Sequence, residues 1–212
     1  RHKFKNNISI LIDVGAHHGE TIKLFNKEFN IKSIISFEPS KRNYYQLLKK
    51  NKNLKNLKTF NLALGENNKT TDFNEHFESQ SSTISEINQN SEYYKRKIFF
   101  LNPLKKKNKK INITKIKMNR LENILKELKI KEVDILKIDT EGYDYKVIKG
   151  LGESIKFVKY IYFEHHFHDM LIKKYNLSDV NSYLYDYNFI KVFKSKMKFR
   201  KTFEYIYFNR SY

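Results

Sequence analysis

The chain has 212 residues, and its 42 Lys and Arg against 23 Asp and Glu give a formal net charge of +19. With 40% hydrophobic and 15% aromatic residues it is too apolar for a disordered chain, and its length suits a single domain spanning 1–212. The absence of cysteine excludes disulfides, thiolate metal sites and a cysteine nucleophile, and no apolar run reaches the roughly 18 residues of a membrane span. Because the chain opens at Arg1 with neither a methionine nor a signal peptide, we expect a fragment of a longer, cytoplasmic protein.

Three apolar runs in the first third of the chain predict strands that are buried in a parallel sheet. They are Ile8–Val14, Ser33–Phe37 and Leu57–Leu64. Apolar residues at helical spacing predict a helix over Glu20–Phe29 and a second helix that begins after the N-cap residue Ser40 and runs to Lys50. Strands and helices that alternate at this short spacing indicate βαβ units.

The polar stretch from residue 66 to 110 interrupts this pattern, and we expect short strands and turns there, lying over one edge of the sheet. Further strands are predicted at Ile111–Met118 (an edge strand), Val133–Ile138, Val158–Phe163, Phe189–Phe193 and Thr202–Phe208. Further helices are predicted over Leu121–Leu128, over Tyr143–Lys149 with Gly150 as its C-cap, and over Ser178–Tyr187.

Carboxylates lie at the ends of four of the five strands expected to be parallel, at the edge where open α/β sheets bind ligands. These five strands are Ile8–Val14, Ser33–Phe37, Leu57–Leu64, Val133–Ile138 and Val158–Phe163. The carboxylates are Asp13, Glu38, Asp139 with Glu141, and Glu164. Helix capping accounts for any one of them, but poorly for the whole set. The turn after the first strand has His17 where a dinucleotide-binding turn would have its second glycine, and a Walker phosphate loop is absent. Asp13 at the end of the first strand suits a ligand that carries an ammonium, and Glu38 suits a ribose diol. A ligand with both groups and no phosphate is S-adenosylmethionine.

Five segments together resemble the FkbM-type methyltransferases, a branch of the S-adenosylmethionine-dependent class I enzymes. They occur in the family's order: Ile12–Thr21 (IDVGAHHGET), Phe37–Ser40 (FEPS), Asn61–Gly65 (NLALG), Ser81–Thr83 (SST) and Asp134–Asp144 (DILKIDTEGYD). The resemblance implies an α/β, Rossmann-like fold with a doubly wound, mainly parallel sheet of about seven strands, the last antiparallel. It also implies O-methylation, often of sugars or other hydroxyl-rich metabolites. Two departures are His17, where the family commonly has Asn, and the short segment before Ile8, where relatives carry sequence that helps cover the cofactor.

The residues assigned to the cofactor follow the first three strands: Asp13, Gly15, His17, Gly19, Thr21, Glu38 and Ala63. Asp13 and the two glycines are assigned to the methionine end of the cofactor, although a tight turn also needs glycine. Thr21 is a candidate for binding the cofactor carboxylate or, equally, for capping the helix. Glu38 would accept hydrogen bonds from the ribose diol, and the small Ala63 would leave room for adenine.

Methylation of an aliphatic hydroxyl calls for a general base or a metal ion, and the predicted catalytic residues are Asp139 and His165. Asp139, Glu164 and His165 are also predicted to bind a divalent ion, iron(II) or manganese before magnesium, with His17 or His166 close by. The alternative is that one carboxylate or histidine acts as the base and that the other histidines lie on the surface or around the site.

The expected substrate is a small carbohydrate, nucleotide-linked or part of a surface glycan, as in capsule or polysaccharide biosynthesis. The alternatives are methylation of an RNA ribose and a binding module without activity. The basic stretch Lys95–Lys110 is interpreted first as a solvated loop, then as a clamp for a phosphorylated sugar, and last as a contact for nucleic acid or anionic membrane. Nucleic acid is not the expected partner, and the sequence does not predict the oligomeric state.

Overall fold

The computed structural model describes residues 7–75, 82–101, 112–198 and 200–212. Its strands are β1 (Asn7–Val14), β2 (Asn30–Phe37), β3 (Leu57–Phe60), β4 (Ala63–Leu64), β5 (Lys69–Glu75), β6 (Glu86–Ile87), β7 (Asn112–Asn119), β8 (Val133–Ile138), β9 (Val158–His166), β10 (Leu171–Ile172), β11 (Phe189–Lys196) and β12 (Thr202–Asn209). Its helices are α1 (Glu20–Glu28), α2 (Lys41–Lys50), α3 (Glu92–Leu101), α4 (Leu121–Glu127), α5 (Asp144–Lys149) and α6 (Leu177–Asp186), and a 3₁₀ helix covers Gly152–Phe157.

Seven strands form the central sheet, in the order β11–β12–β9–β8–β1–β2–β3. The five strands from β9 to β3 pair in parallel, whereas β12 is antiparallel to both β9 and β11. The predicted mainly parallel sheet of about seven strands, with an antiparallel last strand, is therefore confirmed. The chain builds the sheet outward in both directions from β1, so ligands are expected between the carboxyl ends of β1, β2 and β8.

Helices cover both faces of the sheet. This is why the central strands are continuous apolar runs, since their side chains are buried on either face. On one face, Ile12 and Leu136 belong to a core that includes residues of α4, α5 and α6. On the other face, Leu11 and Ile34 pack with Ile22 of α1 and with residues of α2. Among the described residues, no helix is long and apolar enough to cross a membrane.

Both predicted caps are found, for different physical reasons. Ser40 Oγ accepts a hydrogen bond from Asn43 N at 3.4 Å at the start of α2, as an N-cap does. Gly150 ends α5 but keeps a right-handed backbone (φ −65°), so the usual left-handed cap does not explain it. A Cβ at Gly150 would lie 2.2 Å from the carbonyl oxygen of Gly65, so the glycine allows two chain segments to touch.

The predicted third strand is divided between two sheets. Its first half, β3, joins the central sheet, while β4 pairs with β7 in a separate sheet of order β4–β7–β5. Between them, the Asn61 side-chain amide donates to the carbonyl oxygens of Glu38 at 2.8 Å and Pro39 at 3.0 Å, which turns the chain out of the first sheet. The strand predicted at an edge, β7, is consequently the central strand of this small sheet.

Helix α3 lies in the polar stretch for which we predicted only short strands and turns. Ser91 Oγ accepts a hydrogen bond from Tyr94 N at 3.0 Å and starts the helix. Tyr93, Tyr94 and Lys97 are half-buried while the other side chains from Glu92 to Phe100 are exposed, a helical spacing that the many charges obscured. His76, Ser81 and the lysines from 105 to 110 lie outside the described residues.

Candidate functional site

A cleft with a volume of about 240 Å³, partly open to solvent, lies at the carboxyl ends of the parallel strands. Of the residues assigned to the cofactor, those that line it are Gly15, His17, Thr21, Glu38 and Ala63. Asp139, Glu141 and Glu164 also line it, and the strand order places β8 and β9, which carry them, on one side of β1 and β2. We call this side the acidic end of the cleft. Ser82, Ile84, Met197 and Arg200 line the cleft as well. The sequence analysis therefore located the cleft, although three of its assigned residues, Asp13, Gly19 and His165, do not line it.

The turn after β1 requires a left-handed backbone at several positions. Gly15 has φ +82°, and a Cβ there would lie 1.9 Å from the carbonyl oxygen of Asp139. His17 also has positive φ (47°), a conformation in which histidine and asparagine are both enriched among residues with a side chain. Histidine can thus replace the family's asparagine without changing the shape of the turn.

Gly19 holds two helices together and does not contact the cleft. It is the N-cap of α1, with φ 87°, and a Cβ there would lie 2.4 Å from Asn51 Nδ2. That amide donates to the carbonyl oxygens of His18 and Leu47, at 3.1 and 2.8 Å. Of the two interpretations of Gly19, a cofactor contact and a tight turn, this geometry fits the tight turn. Since Gly19 caps α1, Thr21 does not, and its side chain is left at the cleft.

Glu38 is fixed at the cleft by the backbone on both sides of it. Its Oε2 accepts from His17 N at 2.8 Å and its Oε1 accepts from Ser40 N at 2.9 Å. Burial raises the pKa of Glu38 to about 7, although these hydrogen bonds oppose the shift. The Asn43 side chain is a third hydrogen-bond donor to Glu38. Since a carboxylate offers about four acceptor positions, one is left for a ligand hydroxyl, and a second hydroxyl would have to replace Asn43.

Lys137 lies between carboxylates of two neighbouring strands. Its Nζ is 3.5 Å from Asp13 Oδ1 and 3.3 Å from Asp139 Oδ2. Burial lowers the pKa of Lys137, but the charges of Asp139, Asp13 and Glu164 outweigh burial and raise it above its ordinary value. Burial raises the pKa of Asp13, which is fully buried. The ammonium that Asp13 faces in this structure is that of Lys137, and Asp13 does not line the cleft. Its assignment to the methionine end of the cofactor stays a prediction.

Lys137 is the residue of the site that the sequence analysis missed. The signal was present, because a lysine inside the buried apolar run Val133–Ile138 needs a charged partner.

Glu141 and Glu164 complete an acidic end of the cleft. Burial, reinforced by the charge of Asp139, raises the pKa of both carboxyl groups. Glu141 has a left-handed backbone (φ 49°), and its carbonyl oxygen accepts from Thr83 Oγ1 at 2.7 Å. Its Oε2 lies 3.7 Å from Nε2 of the buried His166. A strained non-glycine residue at a cleft is typical of functional sites.

His165 does not reach this acidic end. Successive side chains of a strand point to opposite faces, so His165 points away from the face on which Glu164 lines the cleft. Its ring packs against Phe167 and Tyr175, and Lys173 Nζ lies 3.5 Å from its Nε2. Burial lowers the pKa of His165 to about 4. The structure thus brings one of the two predicted catalytic residues, Asp139, to the cleft.

The predicted metal ligands Asp139, Glu164 and His165 do not converge. In the part of the chain that the structure describes, only His17, His18 and Glu20 bring three candidate ligand atoms within 4.8 Å of one another. Lys50 Nζ already lies 3.0 Å from His18 Nδ1 there. At the acidic end, the ammonium of Lys137 supplies the positive charge that an ion would have brought. We therefore derive no step through a metal.

Comparisons with known proteins agree with this geometry. Residues 13–191 match the family model described as "Methyltransferase FkbM domain". No curated protein matches the chain. In fold, the chain is similar to the methyltransferase FkbM of Methylobacillus flagellatus (TM-score 0.59, 14% identity), covering 97% of this chain but only 44% of that one.

Two further solved structures show the same fold. TrmK of M. capricolum, in complex with S-adenosylhomocysteine, has a TM-score of 0.52 at 10% identity, over 98% of this chain and 65% of that chain. Sp1610 of Streptococcus pneumoniae, in complex with S-adenosylmethionine, has a TM-score of 0.53 at 13% identity, over 96% of this chain and 67% of that chain. At such low identity these likenesses show the fold alone.

Proposed function

Since the chain belongs to the FkbM methyltransferase family, we propose that it transfers the methyl group of S-adenosylmethionine to a hydroxyl oxygen of a carbohydrate. The acceptor we favour is a nucleotide-linked sugar or a surface glycan. The observation that carries the proposal is the division of one cleft into two chemically different ends. Glu38 and the Gly15 turn follow β2 and β1, whereas Asp139, Glu141 and Glu164 belong to the neighbouring β8 and β9 side of the sheet.

The first end suits the cofactor. Glu38 would bind the ribose diol with the acceptor position that His17 N, Ser40 N and the Asn43 side chain leave open, and with that of Asn43 where the diol replaces it. Ala63, beside Leu62 and Leu64, offers an apolar wall for adenine. The methionine end would lie along the Gly15 turn, where the backbone has no side chain to exclude it. In the strand order, this turn is next to β8, so the methyl group would face the acidic end.

The second end suits a polyhydroxyl acceptor, because carboxyl groups bind hydroxyls. In the transfer, the acceptor oxygen forms a bond to the methyl carbon while the methyl–sulfur bond breaks, its electrons staying on sulfur as S-adenosylhomocysteine forms. The hydroxyl proton passes to Asp139, whose Oδ2 lies 3.3 Å from the Lys137 ammonium. Since their pKa values are raised, Glu141 and Glu164 can hold protons and donate hydrogen bonds to other hydroxyls of the sugar.

Methyl transfer from labelled S-adenosylmethionine tests this function. Nucleotide-linked sugars, polysaccharide and RNA are offered in parallel. We expect label in the carbohydrate fractions. Label in RNA alone would replace the proposal with ribose methylation, an activity compatible with the +19 charge. Cofactor binding without transfer to any acceptor would favour a binding module.

Glu38→Ala is expected to weaken binding of S-adenosylhomocysteine by about 10- to 150-fold. This is the loss of hydrogen bonds to a charged group, about 1.5–3 kcal/mol. Titration calorimetry measures it, with Glu28→Ala, an exposed position on α1, as the matched control. The more conservative Glu38→Gln separates lost diol binding from a disturbed turn. Unchanged affinity in both Glu38 variants would remove this residue from the cofactor site.

Cofactor binding should also depend on pH. The pKa of Glu38 is raised to about 7, and the hydroxyls of the ribose bind the ionised form best. The affinity for S-adenosylhomocysteine should therefore rise as pH increases through about 7, and fall by up to about tenfold for each unit below it. Calorimetry from acid to alkaline pH tests this. The dependence should disappear in Glu38→Gln, and its persistence there would assign it to another group.

A further inference from the structure

The outward side of α3 carries two cations followed one helical turn later by two aromatic rings. Lys95 and Arg96 are separated by four positions from Phe99 and Phe100, so all four side chains lie on one side of the helix. Phe99 is 70% exposed and Phe100 77%, and the neighbouring Ile98 is 41% exposed. These five residues form what we call the α3 patch.

The opposite side of α3 is attached to the body of the protein. The Tyr93 ring stacks on the His168 ring, with centroids 4.2 Å apart and an angle of 11° between the planes. The hydrogen bond from Tyr94 N to Ser91 Oγ fixes the start of the helix. The α3 patch is thus held facing outward. Leaving a phenylalanine in water forgoes a large stabilisation, and adjacent exposed aromatics commonly mark a binding surface.

We propose that the α3 patch docks on the surface of an anionic lipid membrane. A helix with aromatic and aliphatic residues beside lysine and arginine is the pattern of interfacial helices, whose apolar side chains enter the headgroup region while the cations contact lipid phosphates. Charge complementarity supports this occupant, because the chain has a net charge of +19. In sequence, five lysines follow between 105 and 110. The Arg96–Glu92 pair at 3.2 Å is exposed and weak enough to exchange for a phosphate.

The ring geometry favours a lipid surface over nucleic acid. Phe99 and Phe100 pack edge to face, with centroids 5.8 Å apart and planes at 77°. In this arrangement the edge of one ring covers a face of the other, whereas a base-stacking platform needs open ring faces. The third apolar member, Ile98, cannot stack on a base at all. A membrane interface accepts all three side chains in this arrangement.

Docking would also orient the cleft. Lys97, on the same helix, is close enough to Glu141 for its charge to affect the carboxyl group, and Tyr93 contacts His168. The acidic end of the cleft would therefore lie near the membrane, where a lipid-linked glycan could reach it. This consequence for the acceptor rests on the proposed function, whereas docking itself does not.

The absence of tryptophan from the chain makes a direct test possible. Phe100→Trp places one fluorescent reporter in the α3 patch, and Tyr185→Trp places one at a 73% exposed position on α6. Each variant is titrated with vesicles of phosphatidylcholine, with and without phosphatidylglycerol. We expect the emission of Phe100→Trp to shift to the blue with anionic vesicles, at about tenfold lower lipid concentration than with neutral ones, and that of Tyr185→Trp to stay unchanged.

The charges are tested by adding Lys95→Ser and Arg96→Ser to the Phe100→Trp reporter. We expect at least about a tenfold loss of vesicle affinity and a strong dependence on salt in the parent. Retained binding of S-adenosylhomocysteine shows that the variants are folded and keeps this result separate from the proposed catalysis. No emission change with anionic vesicles, or an equal change in Tyr185→Trp, overturns the proposal. A response of Phe100→Trp to RNA oligonucleotides but not to vesicles overturns it in favour of nucleic acid.

Discussion

Asp139→Asn is expected to lower the rate of methyl transfer by about 10²- to 10⁴-fold, the usual contribution of a general base. Asparagine has the same shape and keeps an oxygen for Lys137, but it cannot take the hydroxyl proton. Binding of S-adenosylhomocysteine should change little, because Asp139 follows β8, on the side of the cleft proposed for the acceptor. The rate is measured with the acceptor that the labelling experiment identifies.

Two comparisons make this result specific. Asp186→Asn, at an exposed position at the end of α6, should keep the parent rate. Glu141→Gln and Glu164→Gln should lower the rate less than Asp139→Asn, since an amide can still donate hydrogen bonds as the protonated carboxyl groups do. A fully active Asp139→Asn would show that Asp139 is not the proton acceptor, and an inactive Glu141→Gln would move that role to Glu141.

Lys137→Met is expected to lower the free energy of unfolding by about 3–5 kcal/mol, the cost of breaking a buried ion pair by removing one partner. Methionine fills much of the same volume, but Asp13 is left fully buried without its ammonium. Urea unfolding measures the loss. Lys126→Met is the matched control, because Lys126 is also paired, with Glu122 at 2.8 Å, but on the surface, where such pairs contribute at most about 1 kcal/mol.

The loss in Lys137→Met should depend on pH. Burial already raises the pKa of Asp13 in the folded protein, and removing Lys137 raises it further. A folded state that holds the proton more tightly is destabilised as pH rises above the ordinary pKa of about 4, so the defect should be larger at alkaline than at acid pH. Adding Asp13→Asn should restore part of the stability. A pH-independent defect without such rescue would assign the loss to packing.

The central sheet could be predicted because burial on both faces leaves a simple pattern, a short continuous apolar run. The strand-end acids Glu38 and Asp139 could be located for the same reason, since topology decides which strand ends meet. The division of the predicted strand Leu57–Leu64 between two sheets could not be predicted. It depends on the hydrogen bonds that the Asn61 amide donates to the carbonyl oxygens of Glu38 and Pro39. That contact joins residues from different elements and leaves no periodicity.

Side-chain direction limited the prediction of the site. Glu164 and His165 are neighbours in sequence, and grouping them ignored that a strand sends them to opposite faces. Asp13 was correctly placed at a strand end, but its partner is a lysine of the adjacent strand, which only the pairing of Asp13 with Lys137 in the sheet reveals. Charged residues inside apolar runs are therefore the positions at which neighbouring strands should be compared first.

The contact between Gly15 and the carbonyl oxygen of Asp139 has a consequence for how such a site can diversify. With a Cβ position only 1.9 Å from that oxygen, no residue with a side chain fits at Gly15 unless the two strand ends separate. The turn after β1 and Asp139, the proposed proton acceptor, are thus packed together so closely that neither can move without the other. New acceptor preferences can arise more freely at Ser82, Ile84, Met197 and Arg200, which approach the cleft from segments outside its parallel strands. Directed evolution toward a different acceptor should begin at those four positions.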